Sequence, residues 1–189
     1  WFIGAKLKKI KLKDEFRCEV PVICVGNIIA GGGGKTPVSI ALAKLFISQN
    51  KKVHIIHKVF NKKIKSSYLK VKLKDSASLV GDEPLLSAKI APTWVCKKRL
   101  YGIKAAVDYG AELILLDDGL QDNSIYKDYS IMVVNGRQGF GNRLLIPAGP
   151  LRENITGALR RVDCIFFNGT KKEFSSLLPK CKTLTNFIK

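Results

Sequence analysis

Short apolar runs alternate along this chain with helix-length amphipathic stretches, the pattern of a parallel sheet covered by helices. Glu19 to Val25 (EVPVICV) predicts a first strand. Pro37 to Gln49 predicts a helix whose apolar face is Ile40, Leu42, Ala43, Leu45, Phe46 and Ile47, with Pro37 tolerated in the first turn. Val53 to Ile56 reads as a second strand. Residues 57–74 are basic and irregular, with an edge strand at Leu69 to Leu73 where Lys70 and Lys72 alternate with apolar positions. Further on, Glu83 to Lys89 predicts a short helix, Thr93 to Cys96 a strand, and Lys97 to Tyr109 a helix closed by Gly110. Glu112 to Leu116 (ELILL) is a buried strand running into Asp117 and Asp118, and Ser130 to Val134 and Cys164 to Phe167 are two more. No repeat or low-complexity linker interrupts the pattern. The expected organisation is one α/β domain over residues 1–170, with residues 171–189 too few to form a second.

Composition and charge alter this picture only locally. The 189 residues carry a formal charge of +18, and a hydrophobic content of 46% is enough for a packed core, which excludes a disordered basic tail. Residues 1–74 hold 17 basic groups against 3 acidic ones, whereas residues 75–189 hold 16 against 12. Such a bias points to an anionic neighbour, whether nucleic acid, membrane surface or phosphate compound, without choosing among them. Lysines outnumber arginines 26 to 7, which taken alone describes a solvated surface. Cys18, Cys24, Cys96, Cys164 and Cys181 are widely spaced and form no CxxC pair, so neither a zinc site nor a disulfide framework is expected, and a reducing cytosol fits. No apolar run reaches the ~18–20 residues of a membrane span, and no signal-peptide core stands at the N-terminus. The chain begins at Trp1 rather than Met, as a fragment would.

The chemistry concentrates in a few segments. Between the first strand and its helix lies VGNIIAGGGGKTP, residues 25–37. Gly31, Gly32, Gly33 and Gly34 allow a backbone that curls around phosphate oxygens with its N–H groups inward; Lys35 would reach the β- and γ-phosphates and Thr36 would bind Mg²⁺. A strict GxxxxGK[ST] pattern would need glycine at position 29, which is Ile29. Asp117 and Asp118, adjacent carboxylates at the end of a buried strand, supply the acidic side of a metal–nucleotide site. In GDEP, residues 81–84, Asp82 is a candidate general base for a hydroxyl nucleophile, although Asp82 as helix N-cap with Pro84 in the first turn is an ordinary structural alternative. Five of the seven arginines, Arg137, Arg143, Arg152, Arg160 and Arg161, fall in or beside GFGNRLLIPAGPLRE (139–153), a window suited to gripping an anionic group. His54 and His57 have no carboxylate or thiol beside them in the sequence and are read as structural.

Taken together, VGNIIAGGGGKTP, VGDEPLL (80–86), LLDDGLQ (115–121) and GFGNRLLIPAGPLRE, in that order, resemble the tetraacyldisaccharide 4′-kinases of lipid A biosynthesis over roughly residues 19–168. The resemblance implies a P-loop NTPase-like parallel sheet flanked by helices. It also implies transfer of the γ-phosphate of ATP, with Mg²⁺, to the 4′-hydroxyl of a lipid disaccharide 1-phosphate at the cytoplasmic face of the bacterial inner membrane. By that analogy Gly31 to Thr36 hold phosphates and Lys35 is catalytic. Thr36, Asp117, Asp118 and Glu83 serve the metal, and Asp82 is the base. Arg143, Arg152 and Asn142 meet the substrate. An anionic membrane surface is an implied partner; nucleic acid and an obligate protein partner are not. The chain departs from the family at Gly33, where threonine is usual, and at Lys58 to Lys62, where the family has Arg-Gly-Tyr-Gly-Arg. It departs again at Leu120 and Asp122, the Phe and His positions of DDGFQH. Family members are longer, with a membrane-associating helix before the first strand and a second α/β domain that contributes a histidine to the catalytic aspartate. The expectation is a chain truncated at both ends, its second domain missing or only begun, that binds nucleotide and phosphorylates poorly or not at all. The competing classes are a deviant P-loop regulatory ATPase, which needs a signature lysine where Ala30 stands, and a non-enzymatic basic module for nucleic acid or membrane.

Overall fold

A computed structural model describes residues 15–31, 33–177 and 185–187. Gly32, Cys181 and the basic stretch before Glu15 lie outside the described residues. The strands are β1 (Val22–Gly26), β2 (Val53–Lys58), β3 (Tyr68–Lys70), β4 (Thr93–Cys96), β5 (Leu113–Asp117), β6 (Tyr129–Asn135), β7 (Cys164–Asn168) and β8 (Thr185–Phe187). The helices are α1 (Lys35–Ser48), α2 (Ala77–Val80), α3 (Asp82–Ala88), α4 (Arg99–Asp108), α5 (Ile155–Leu159) and α6 (Lys171–Leu177). One sheet runs in the order β3-β4-β2-β5-β1-β6-β7-β8, and every pairing is parallel except β3 with β4. Residues 185–187 thus extend the same sheet beyond β7.

Continuous apolar strands follow from burial on both faces. Along β5, Ile114 and Leu116 pack with Ile56, Trp94, Ile103 and Met132 on one side. Leu113 and Leu115 pack with Ala43, Val53 and Ile55 on the other. Helix α1 buries a narrower stripe than its composition predicts: Leu45 is 51% and Ile47 38% exposed, while Val38 and Ala43 carry the contact with the sheet. Edge strand β3 lies antiparallel on β4, Leu69 opposite Val95, and ends at Lys70 rather than Leu73. Pro21, lacking an N–H, keeps β1 from starting at Glu19, and the Val22 N–H is taken by Asp128 Oδ2 at 2.8 Å. Among the described residues the four cysteines are free, and burial pushes the thiols of Cys24 and Cys96 up to about 11, which makes them inert packing groups. No helix in the described residues is long and apolar enough to cross a membrane.

Trp94 Nε1–H donates to Nδ1 of His54 at 3.2 Å in the interior. Burial, with help from Lys70, lowers the His54 pKa to about 4. Its unfolded value is higher, so the unfolded chain binds more protons across that interval and stability falls as pH drops from about 6.5 towards 4. We expect roughly 2 kcal/mol less stability at pH 5 than at pH 7, and a shallower dependence in His54→Gln, which keeps an acceptor for Trp94. Urea unfolding at the two pH values checks this; parallel slopes in the two proteins would refute it.

Candidate active site

The sheet delivers three strand ends to one place. β1 lies beside β5 with Val25 opposite Asp117, and β2 lies on the other side of β5 with Ile56 opposite Leu116, which brings His57 level with Asp117. From the end of β1 the chain turns through residues 27–34 into α1. Gly31 at φ 108° and Gly34 at φ 78° are in a region that side-chain-bearing residues rarely occupy, with open space where a Cβ would stand. Lys35, 6% exposed, folds back so that Nζ donates to the Gly31 carbonyl at 3.3 Å and lies 3.8 Å from Asp118 Oδ1. The lysine charge is therefore held over the concave side of the loop.

Asp117 is 1% exposed and accepts from two hydroxyls. Thr36 Oγ1–H reaches its Oδ2 at 2.8 Å and Ser39 Oγ–H its Oδ1 at 2.7 Å, while His57 Nδ1 stands 3.3 Å from Oδ2. Nε2 of His57 meets Ser87 Oγ of α3 at 2.9 Å. Burial pushes the His57 pKa down, despite the neighbouring carboxylate of Asp117, so the ring is neutral. The fold thus supplies the carboxylate that His57 lacks in the sequence, because parallel pairing of β2 and β5 joins residues sixty positions apart. Asp118 turns out of β5 at φ 52° and receives both Lys35 and Arg152, whose Nη1 is 2.9 Å from each of its carboxylate oxygens.

The arginine-rich segment braces the glycine loop. Ala30 N–H donates to Pro150 O at 2.8 Å, Arg152 N–H to Ile28 O at 2.7 Å, and Ile29 bridges Leu151. Gln121 ties Asn27 O to Glu153 Oε1, at 2.8 Å each, and Arg161 closes the set on Glu153 and the Leu120 carbonyl. Arg152 therefore stands within the carboxylate group rather than apart from it. Asn142 is different: its Nδ2 donates to Ala148 O and its Oδ1 accepts from Leu144 N–H, so its amide holds its own turn. Arg143 is exposed at φ 63° on that turn. Asp82 opens α3 with Gly81, not Asp82, as N-cap, and with Glu83 and His57 it lines a cavity of about 390 Å³.

Sequence reasoning missed Arg99, which is 4% exposed and donates to the carbonyls of Asp117 and Asp118 and to Asp122 Oδ2 at 2.8–3.0 Å. It also missed Ser39 and Gln121, which carry no signal beyond lying next to a motif, and Asn27, whose amide nitrogen and oxygen are both buried without partners beneath the loop. The Gly33 departure is tied to Asn27: a Cβ at position 33 would overlap Asn27 Nδ2. We expect Gly33→Thr to lower nucleotide affinity about tenfold and Asn27→Ser to restore part of it in the double variant, as coupled neighbours do. Fluorescent-nucleotide titration checks this; additive effects would refute the coupling.

A parallel sheet whose first strand leads into a glycine loop, a Lys-Thr pair and an α-helix, with two carboxylates on the adjoining strand, defines the P-loop NTPase-like class. The signal recognition particle 54 kDa protein of Aeropyrum pernix, solved in complex with GDP, shares this fold at TM-score 0.50 and 14% identity, covering 88% of this chain and 40% of that one. The chain belongs to the tetraacyldisaccharide 4′-kinase family: the LpxK family, described as tetraacyldisaccharide-1-P 4′-kinase, matches residues 3–187. It is 47% identical over 153 residues to the tetraacyldisaccharide 4′-kinase of Parvibaculum lavamentivorans, covering 81% of this chain and 45% of that protein. To the Paramagnetospirillum magneticum protein of the same name it is 45% identical over 170 residues, covering 89% and 51%. The structure of LpxK from Aquifex aeolicus, crystallised in complex with ATP, superposes with TM-score 0.79 at 28% identity, covering 97% of this chain and 58% of that one. The chain spans about half the length of the curated relatives it matches.

Proposed function

We propose that this chain contributes the nucleotide half of an ATP-dependent kinase that phosphorylates the 4′-hydroxyl of a lipid-linked glucosamine disaccharide 1-phosphate. The observation that carries the reading is the convergence of Lys35, Thr36, Asp117 and Asp118 on one side of the glycine loop, in a chain of this family. The loop, with Gly31 to Gly34, cradles the phosphates and Lys35 offsets charge on the transferring group. The donor set fits a hard divalent cation. Thr36 supplies a hydroxyl oxygen, and the ligand atoms of Asp117 and Glu83 lie within 4.8 Å of one another. Thr36, Glu83, Asp117 and Asp118 would hold Mg²⁺, which neutralises phosphate charge when bound. Asp82, on the cavity wall, takes the proton from the acceptor hydroxyl. Arg152 leaves Asp118 for the acceptor's phosphate or the transferring group, and exposed Arg143 is the second arginine assigned to the acceptor.

The lipid acceptor sets the partner. Phe60 is 87% exposed, with Lys58 5.1 Å over its ring and Lys62, Lys63 and Lys65 following, beside the Asp82 cavity. Such a surface docks peripherally on anionic lipid, each lysine contributing about 1 kcal/mol. Vesicle binding indifferent to both salt and anionic lipid would remove this part of the reading.

The reaction is tested with γ-labelled ATP, Mg²⁺ and the disaccharide 1-phosphate in detergent, using the chain together with the sequence that flanks it in its gene. Label at the 4′-position is expected. Nucleotide binding with no transfer to any lipid acceptor would return the regulatory-ATPase reading.

A further inference from the structure

The imidazole of His57 stands among oxygen ligands. Its Nδ1 is 3.3 Å from Asp117 Oδ2, and the ligand atoms of His57, Glu83 and Asp117 all lie within 4.8 Å of one another. Two atoms 3.3 Å apart subtend about 100° at an ion ~2.1 Å from each, between the octahedral and tetrahedral values. The far nitrogen has a partner: Nε2 meets Ser87 Oγ at 2.9 Å, and in the tautomer whose Nε2–H donates to that hydroxyl, Nδ1 turns its lone pair towards Asp117, the outer-sphere arrangement that commonly orients a ligating histidine. A cavity of about 390 Å³, lined by His57, Val80, Gly81, Asp82, Glu83 and Pro84, gives an ion a way in.

We propose that His57, Glu83 and Asp117 form a mixed nitrogen–oxygen site for a divalent transition metal of the Mn²⁺ or Co²⁺ kind, in preference to Mg²⁺. Mg²⁺ demands oxygen ligands, whereas imidazole nitrogen raises affinity along the transition series. Thr36 Oγ1 bonds the same Asp117 oxygen, so the ion lies beside the phosphate loop, and the site's metal preference becomes that of phosphoryl transfer. The inference rests on the reading of Glu83 and Asp117 as cation-binding residues given above, and not on the lipid acceptor. The competing geometry has Nδ1–H donating to Asp117, so that His57 only braces the carboxylate.

Titrating the nucleotide-free chain with Mn²⁺ under electron paramagnetic resonance decides between them. One tight ion per chain is expected, with the pulsed-resonance ¹⁴N coupling of a directly bound imidazole. In His57→Gln and His57→Ser the coupling disappears and the preference for Mn²⁺ over Mg²⁺ falls roughly tenfold or more. Metal-free melting of each variant separates loss of the ligand from loss of the fold. Bound Mn²⁺ without ¹⁴N coupling, an unchanged preference in both folded variants, or no Mn²⁺ binding would each overturn the proposal. MgATP binding by the wild-type chain is measured in parallel: its failure with the ¹⁴N signal intact sinks the kinase reading and leaves the metal site standing.

Discussion

Lys35→Ala is expected to lower the rate of phosphoryl transfer by roughly 10²–10³-fold, the range seen when one preorganised charge-stabilising donor is removed. The ammonium is held beside the loop by the Gly31 carbonyl and by Asp118, within a short swing of the phosphate whose charge it would offset. The fold should survive the change, because Asp118 keeps its pairing with Arg152 and the stem of Lys35 is replaced by a good helix former at the start of α1. Lys35→Arg should rescue little: a planar fork cannot fold back on Gly31 as a flexible ammonium does. Single-turnover rates at saturating ATP, with melting curves for each variant, measure both parts. A rate within fivefold of wild type would remove Lys35 from the chemistry.

The largest effect on stability is expected at Arg99. Its guanidinium, almost fully buried, holds the carbonyls of Asp117 and Asp118 and pairs with Asp122 at 3.0 Å. Burial raises the Asp122 pKa, but hydrogen bonds from Ser124 and the charge of Arg99 overcome it and hold the carboxyl below its usual range. Arg99→Met leaves that carboxylate buried without its cation and two carbonyls at the strand end without a donor, at a cost of about 3–5 kcal/mol and roughly 10 °C in Tm. Removing the orphaned charge as well, in Arg99→Met with Asp122→Leu, should recover part of the loss. Denaturant unfolding of the two single variants and the double checks the coupling. A single variant within 1 kcal/mol of wild type would show that the pair lacks the assigned weight. The histidine-to-aspartate departure at position 122 thus has a local reason: in this chain that position neutralises Arg99.

How much of this could be read in advance depended on whether a residue's role is set locally or by distant partners. Apolar runs buried on both faces, such as Glu112 to Leu116, announce strands within a residue or two, and Gly110 at φ 81° closes α4 as a left-handed cap should. The one-turn helix α2 and the short α5 and α6 hold too few residues to show a period, so ASLV, ITGAL and KKEFSSL pass for loop. Leu45 and Ile47 look like core and are not, since one stripe of α1 suffices to cover the sheet. In the site, the meeting of Lys35, Thr36 and the two aspartates is legible because a glycine loop between strand and helix and a buried strand ending in carboxylates place them at one sheet edge. Arg99 and His57 are not, because the end of β5 reaches them only through the fold, His57 by the pairing of β2 with β5 and Arg99 by the placement of α4. Asn142 had the right neighbourhood but is committed to its own turn.

The bracing of residues 28–30 by residues 150–152, with Arg152 on Asp118, has a thermodynamic corollary. An anion that draws Arg152 away alters the field around Lys35, and a nucleotide that draws Lys35 away leaves Asp118 to Arg152 alone. The two occupancies then share one free energy, and each must change the other's affinity by the same factor. In the proposed reaction, a chain wired in this way would take phosphate donor and anionic acceptor in communication rather than independently.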